Sequence, residues 1–187
     1  MRIIGGRARG LHLAPVGGGD AAAHLRPTSD RVRESIFNLL INGGYGDPVS
    51  GAAVLDLFAG TGALGLEALS RGAARAVFID NGGTARALLT RNIALMRAEA
   101  ECEVIHRDAT RLGAWRGPGF GLVFLDPPYG KGLGEQALAG LLAGGWLDPD
   151  GLVVWEDAAP PLLPAGVERL DQRKYGTTVV TILRVAA

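Results

Sequence analysis

Two short stretches carry the residues best suited to chemistry. Asp126-Pro127-Pro128-Tyr129 follows the apolar run Leu122-Val123-Phe124-Leu125. The two prolines stiffen the chain and remove two backbone N–H donors. Their surroundings are then rich in acceptors, namely carbonyl oxygens and the Asp126 carboxylate. Tyr129 adds a flat ring on which a nucleic-acid base can stack. That combination suits an exocyclic amine, whose lone pair is delocalised into its ring. Acceptors that orient its N–H groups favour charge build-up on nitrogen as it attacks. The plain alternative is that two prolines end a strand.

The second stretch, Gly60-Thr61-Gly62-Ala63-Leu64-Gly65, matches G-x-G-x-x-G between an expected strand and an expected helix. NAD, FAD or S-adenosylmethionine fits such a loop, as does a tight turn with no ligand. Asp56 shifts the balance. A carboxylate inside an apolar strand is costly unless it is paired or faces a polar ligand. An anionic pyrophosphate has no use for it, whereas a sulfonium and an ammonium do. Asp80, about 20 residues after the loop, stands where an acid accepts from ribose hydroxyls. Asp108, with the Ala109 backbone beside it, is placed to accept from an adenine amine. Each acid also has a structural reading, as a buried carboxylate bonded to amides or as a loop acid.

Other chemistries lack their residues. His12, His24, His106 and Cys102 make no metal-ligand spacing, so no metal is expected. There is no G-x-S-x-G elbow and no G-x-x-x-x-G-K-[ST] phosphate loop. Trp115, Trp146 and Trp155 are expected in the core or at its rim.

The elements that must position these residues alternate strand and helix. Strands are expected at 54–58, 75–80, 104–106, 122–126 and 152–156, with helices at 65–70, 84–98 and 135–142. Such alternation predicts a parallel sheet covered on both faces. Segments 168–174 and 178–184, joined at Tyr175-Gly176-Thr177, predict an antiparallel hairpin at one edge. Before the α/β body, residues 2–5 and 10–13 flank a Gly-containing turn and read as a short hairpin. A Gly-rich loop follows at 17–19. A helix then spans Val32, Ile36, Leu39 and Leu40, capped by Thr28 or Ser29. The one plausible boundary separates an arm with its Gly-rich loop (1–25) from the main domain (26–187).

The chain has 187 residues and zero formal net charge, so its overall charge predicts no polyanionic partner. Its distribution says more: Arg2, Arg7, Arg9, Arg26, Arg31 and Arg33 crowd the first 38 residues. Arginine suits bidentate phosphate contacts, and a basic arm on a neutral body can bind nucleic acid. Arg2, Arg7 and Arg9, with Lys131 after the Asp126 tetrad, are the candidate RNA contacts; ordinary solvated surface is the alternative. A lone cysteine and the lack of an apolar leader or a membrane-length apolar run make a cytoplasmic protein the expectation.

With these motifs placed, the chain resembles the RsmD-type family of class I S-adenosylmethionine-dependent methyltransferases. The resemblance lies in Arg2-Ile3-Ile4-Gly5-Gly6, Arg9-Gly10, Arg26-Pro27-Thr28, Asp30 to Ser35, Phe37-Asn38, Asp56 to Gly62, Gly65 to Gly72 and Asp126 to Tyr129. It implies a Rossmann-like α/β fold, with a seven-stranded, mostly parallel sheet and a short N-terminal β-hairpin extension. It implies that Asp56, Phe58, Ala59, Gly60, Thr61 and Gly62, with Asp80, Asn81, Asp108 and Ala109, hold S-adenosylmethionine and release S-adenosylhomocysteine. Arg26 and Thr28 would lie near the methionine end. Asp126, Pro127, Pro128 and Tyr129 would receive a flipped guanine from 16S ribosomal RNA or a small-subunit assembly intermediate and methylate its N2 amine. A monomer without membrane association is expected. The rivals are methylation of adenine N6 or another amine, an NAD-dependent oxidoreductase, and a non-catalytic RNA-binding assembly factor.

Overall fold

The computed structural model describes residues 1–16 and 28–185; the Gly-rich loop at 17–19, Arg26 and Pro27 lie outside them. The element order is α1 (Asp30–Asn42), β1 (Ala53–Leu57), α2 (Ala63–Ser70), β2 (Arg75–Asp80), α3 (Gly83–Met96), β3 (Cys102–His106), β4 (Phe120–Leu125), α4 (Leu133–Ala143), β5 (Leu147–Asp157), β6 (Val167–Tyr175) and β7 (Thr178–Val185). The strands form one seven-stranded sheet in the order β3-β2-β1-β4-β5-β7-β6. Strands β1 to β5 pair in parallel, and β7 pairs antiparallel with both β5 and β6. The seven-stranded sheet and its terminal hairpin are those expected from the sequence. Ser29, rather than Thr28, caps α1: its Oγ accepts from the Val32 N–H at 3.2 Å.

Period-two alternation divides the strand side chains between two cores. Val54, Phe78, Leu122, Phe124, Leu152 and Val154 pack with Ile36, Phe37 and Leu40 of α1, Leu66 and Leu69 of α2, and Leu89 and Ile93 of α3. Leu55, Leu57, Val77, Ile79, Val123, Leu125, Val153 and Trp155 pack on the other face, against Ala137, Leu138 and Leu141 of α4 and against Trp146. Trp146 and Trp155 are fully buried core residues, and Trp115 stacks on Trp146 with ring centroids 4.5 Å apart.

The N-terminal hairpin is shorter than the sequence suggests. Its one described bridge joins Arg2 and His12, with Ile3 N–H donating to the Leu11 carbonyl at 2.9 Å and Gly10 N–H to the Ile3 carbonyl at 2.8 Å. So small a ribbon cannot stand alone, and its order comes from docking. Ile3 and Leu13 enter the core beside α1 and α2. Gly6 adopts φ +74°, and a Cβ there would stand 1.7 Å from the Ser70 carbonyl oxygen, so only glycine permits the close approach. Ser70 Oγ donates to the Gly5 carbonyl at 2.6 Å and accepts from Ala8 N–H at 2.9 Å.

A buried ion cluster completes the docking. Glu67 of α2 accepts from Ile4 N–H and Gly5 N–H, both at 2.8 Å, and from Arg71 Nε at 2.7 Å. Arg33 Nε stands 3.5 Å from the same carboxylate, and both side chains are fully buried. Arg33 also donates to the carbonyls of Thr28 and Arg2 and to Asp30. Arg33 therefore adds no charge to the surface, contrary to its place in the basic N-terminal segment read from sequence. It ties α1 to the arm instead. Glu67→Ala leaves that cation buried with much of its compensation gone, a change that typically costs about 3–5 kcal/mol. Urea unfolding should show a loss of this size; a variant within about 1 kcal/mol of wild type means the cluster does not hold the arm.

Candidate active site

The strand register assembles a row of acids at one edge of the sheet. Leu57 pairs with Ile79 and Leu125, and Leu125 pairs with Trp155. One step on lie Asp80 and Glu156, still in β2 and β5, and Phe58 and Asp126, just past β1 and β4. The residues before them face the α4 core, so alternation turns the three acids towards the α1–α3 side, whereas Phe58, with its positive φ, stays packed on the α4 side. Asp56 lies one row deeper on that same side. Adjacent strands lie about 4.7–4.9 Å apart, which brings these carboxyls close together where parallel strands end. Ligands of open α/β sheets bind beyond the carboxyl ends of strands.

The glycine loop is organised by two of these acids. Asp56 is 2% exposed, and its Oδ2 accepts from Gly65 N–H at 2.9 Å. A Cβ on Gly65 would meet the Phe78 ring at 2.4 Å, so glycine lets α2 sit close enough for that bond. Burial, with Asp80 nearby, pushes the Asp56 carboxyl up to about 8. Phe58 takes φ +58° and swings the chain off the strand, while Gly60 and Gly62 take φ +54° and +76°. Ala59 N–H donates to Ile79 carbonyl at 3.1 Å, and Gly62 N–H to Ala59 carbonyl at 2.7 Å. Thr61 is buried. Asp80 spans two loops: one oxygen accepts from Gly60 N–H at 2.8 Å and the other from Gly82 N–H at 2.7 Å. The side chain of Asn81 is exposed, and its carbonyl meets His106 Nε2 at 3.0 Å. Asp108 Oδ1 accepts from Thr110 N–H and Oγ1, which holds the carboxyl below its usual range. Ala109 is buried. Residues 56–62, 80–82 and 108–110 contain three acidic side chains and no lysine or arginine. This set of groups matches a cationic nucleoside ligand such as S-adenosylmethionine better than a pyrophosphate.

The Asp126 tetrad begins beyond β4. Pro127 is buried, and Asp126, Pro128 and Tyr129 are half-buried. The Thr28 hydroxyl lies between two carboxyls, 3.3 Å from Asp126 Oδ2 and 3.1 Å from Glu156 Oε2. The Tyr129 hydroxyl donates to Glu156 Oε1 at 3.0 Å and stands 3.3 Å from Thr178 Oγ1. Burial, then the Glu156 charge, holds the Asp126 carboxyl well above the ordinary carboxylate range. Burial also raises Glu156, but hydrogen bonds from Tyr129 and Thr28 favour its ionised form. Burial raises the Tyr129 hydroxyl as well.

Thr28, read as a cofactor contact, thus touches the Asp126 tetrad directly. Glu156 and Thr178 were not among the expected site residues. The signal for Glu156 is plain in retrospect, because it closes the apolar run Leu152-Val153-Val154-Trp155 as Asp126 closes its own. Asn92 was missed too. This fully buried amide accepts from Ala14 N–H at 2.7 Å and donates to the Thr61 carbonyl at 2.9 Å, tying the arm to the glycine loop.

The basic residues are not gathered here. The arm's turn bonds to Ser70 at the far end of α2, a helix of eight residues and therefore about 12 Å long. Arg7 is ion-paired with Glu101 there, and Arg9 is exposed. Arg2 is exposed with Asp30 at 3.7 Å, and Lys131 is exposed beside the tetrad. Among the described residues, no group of three or more His, Cys, Asp or Glu side chains could hold a metal, and no helix is long and apolar enough to cross a membrane.

A family described as "Conserved hypothetical protein 95" matches residues 1–184. Ribosomal RNA small subunit methyltransferase D of Escherichia coli is 40% identical over 164 residues, covering 88% of this chain and 78% of its own. The same-named protein of Haemophilus influenzae is 38% identical over 159 residues, covering 83% and 78%. The solved structure of yhhF from Escherichia coli superposes with a TM-score of 0.82 at 36% identity, covering 100% of this chain and 98% of that one.

Asp56 gives the site a pH signature of its own. Its unfolded value is near 3.9, and its folded value is about 8. Between these the folded chain keeps a proton that the unfolded chain has released, so this residue makes stability fall as pH climbs from about 4 to about 8. Asp56→Asn keeps an acceptor for Gly65 N–H without the titration. In ligand-free protein, the melting temperature of the variant relative to wild type should rise across that window and level off above it. A difference independent of pH would show that Asp56 is not held protonated.

Proposed function

The chain belongs to the conserved hypothetical protein 95 family, the RsmD-type methyltransferases, and from that premise we propose that it transfers a methyl group from S-adenosylmethionine to the N2 amine of a guanine in small-subunit ribosomal RNA. The observation that carries this reading is the adjacency of two unlike half-sites. The glycine loop leaves β1 and the Asp126 tetrad leaves β4, which are neighbouring strands. A donor held at the first therefore lies about one strand spacing from an acceptor held at the second.

S-adenosylmethionine, when bound, supplies an activated methyl group. Asp80 is positioned to accept from ribose hydroxyls with the lone pairs that Gly60 and Gly82 leave free, and Asp108 and the Ala109 backbone to meet the adenine. Asp56 shapes the turn through Gly65 N–H, and its carboxyl, protonated in the ligand-free chain, ionises when the cationic end binds beside it; Arg26 and Thr28 serve the methionine end. Tyr129 stacks on a guanine that has left its helix. Asp126 and the Pro127 carbonyl accept from the N2 amine and orient its lone pair. The bound donor would supply its methyl group to that nitrogen, and Asp126 would take up the proton that the amine gives up. Held reactants in line can account for roughly 7–11 kcal/mol of barrier lowering, so no strong base is required.

Asp126→Ala should cut methyl transfer to small-subunit RNA by at least about 100-fold while cofactor affinity by calorimetry stays within a few-fold. Mapping modified bases in ribosomal RNA from a strain lacking the gene should show one missing N2-methylguanine in the small subunit. A missing N6-methyladenine or an unaltered subunit overturns the proposed substrate. Arg2, Arg7 and Arg9 serve as phosphate contacts remote from the reacting atoms, and Lys131 as one near them. The double change Arg7→Ala and Arg9→Ala should weaken RNA binding and shrink the slope of log affinity against log salt by up to about two contacts' worth. An unchanged slope removes the arm from the RNA footprint.

A further inference from the structure

Glu156 stands out among the described acids at the strand ends because both of its oxygens are engaged by side chains rather than by backbone amides. It is 5% exposed. Its Oε1 accepts from the Tyr129 hydroxyl at 3.0 Å and its Oε2 from the Thr28 hydroxyl at 3.1 Å. Thr28 Oγ1 is in turn 3.3 Å from Asp126 Oδ2. Two residues of the acceptor tetrad are thus tied to one buried carboxyl on the neighbouring strand β5.

We propose that Glu156 is a positioning residue for methyl transfer, fixing the plane of the Tyr129 ring and, through the Thr28 hydroxyl, the direction of the Asp126 carboxyl. This rests on the reading of the Asp126 tetrad as the acceptor slot. Pro127 and Pro128 restrict the backbone between Asp126 and Tyr129, but neither can hold the Tyr129 ring or the Asp126 side chain in one rotamer. Among the described residues, those two side chains meet Thr28, Glu156 and Thr178 through hydrogen bonds. Glu156 is the member that reaches both halves of the tetrad. A rotation of the Tyr129 ring shifts a stacked base and its amine relative to the methyl carbon, and misplacement of about 1 Å can cost about 100-fold in rate.

The role depends on length and hydrogen-bond pattern, not on charge. Glutamine at 156 keeps an acceptor for Tyr129 and offers an N–H to Thr28, whose own proton then points wholly to Asp126. Aspartate keeps the charge but falls one methylene short of both hydroxyls. E156Q should therefore keep kcat for RNA methylation within about 5-fold of wild type, and E156D should lose about 30- to 100-fold. Neither change should move the dissociation constant for S-adenosylhomocysteine, measured by calorimetry, by more than about 3-fold.

Tyr129→Phe keeps the ring but removes the hydroxyl, so E156D should cost at least 5-fold less in that background than in wild type. The reverse ranking, with E156D active and E156Q inactive, overturns the proposal in favour of a charge role. So do costs that multiply in the double variant, or a cofactor affinity that falls with kcat. If the melting temperature of E156D shows that it folds poorly, E156L, which fills the buried space without offering an acceptor, takes its place both in the ranking against E156Q and in the combination with Y129F. Wild-type protein that leaves small-subunit RNA unmethylated sinks the functional reading itself; a failed ranking with an active wild type sinks only the role of Glu156.

Discussion

The cost of placing carboxyl groups at the edge of an apolar sheet governs the design of this protein. Val54, Leu55 and Leu57 surround Asp56, and Val153, Val154 and Trp155 precede Glu156, all of them buried. An uncompensated carboxylate in such company is strongly disfavoured. Each acid has a distinct remedy. Asp56 takes one backbone N–H and a raised proton affinity. Asp80 takes two N–H groups from two loops. Asp126 and Glu156 share a hydroxyl. The remedies are also the scaffold, since the N–H donors belong to the glycine loop and the Asp80 turn and the hydroxyls to Tyr129 and Thr28. Loops that would otherwise be held loosely are fixed because the acids need them.

The same logic operates at the N-terminus, where the arm is held by satisfied backbone groups more than by its own hairpin. Glu67 receives two of its amides, Ser70 receives two and donates one bond back, and Asn92 receives a fifth. Buried polar groups are high-stakes when only partly paired, so this network favours one docked position. The arm then belongs mechanically to α2 and α3, the two helices that begin beside the glycine loop and the Asp80 turn. Through Asn92 it reaches the Thr61 carbonyl itself. A segment that reads as a basic appendage is, in its backbone, tied to the glycine loop through one buried amide side chain.

Much of this was legible in the sequence, for reasons that particular residues make clear. Alternation of apolar runs with helical periodicity gave the parallel sheet, and the short Tyr175-Gly176-Thr177 link gave the terminal hairpin. Both depend on local patterns that burial reinforces. Asp56, Asp80 and Asp126 were visible because each interrupts or ends an apolar run. Glu156 does so too, but without prolines or glycines beside it the run reads as an ordinary strand end. What could not be read was partnership. Nothing local distinguishes Arg33, buried against Glu67, from Arg31, two residues earlier, which stays exposed. The Arg7 pairing with Glu101 spans 94 positions, a distance over which only the folded topology brings residues together.

Charge distribution follows from that topology. The acids gather where the parallel strands end, whereas the arm's turn, with Arg7 and Arg9, is fixed near where they begin, at the other end of α2. A single nucleotide held at the Asp126 tetrad would not reach that turn, across a helix about 12 Å long. The small-subunit RNA proposed as substrate is a folded polyanion that can span both ends. A net charge of zero then ceases to argue against nucleic acid. Acids concentrated in the pocket suit a cationic donor and an amine, and exposed arginines outside it suit phosphate, so the two signs cancel in the total while remaining separate in space.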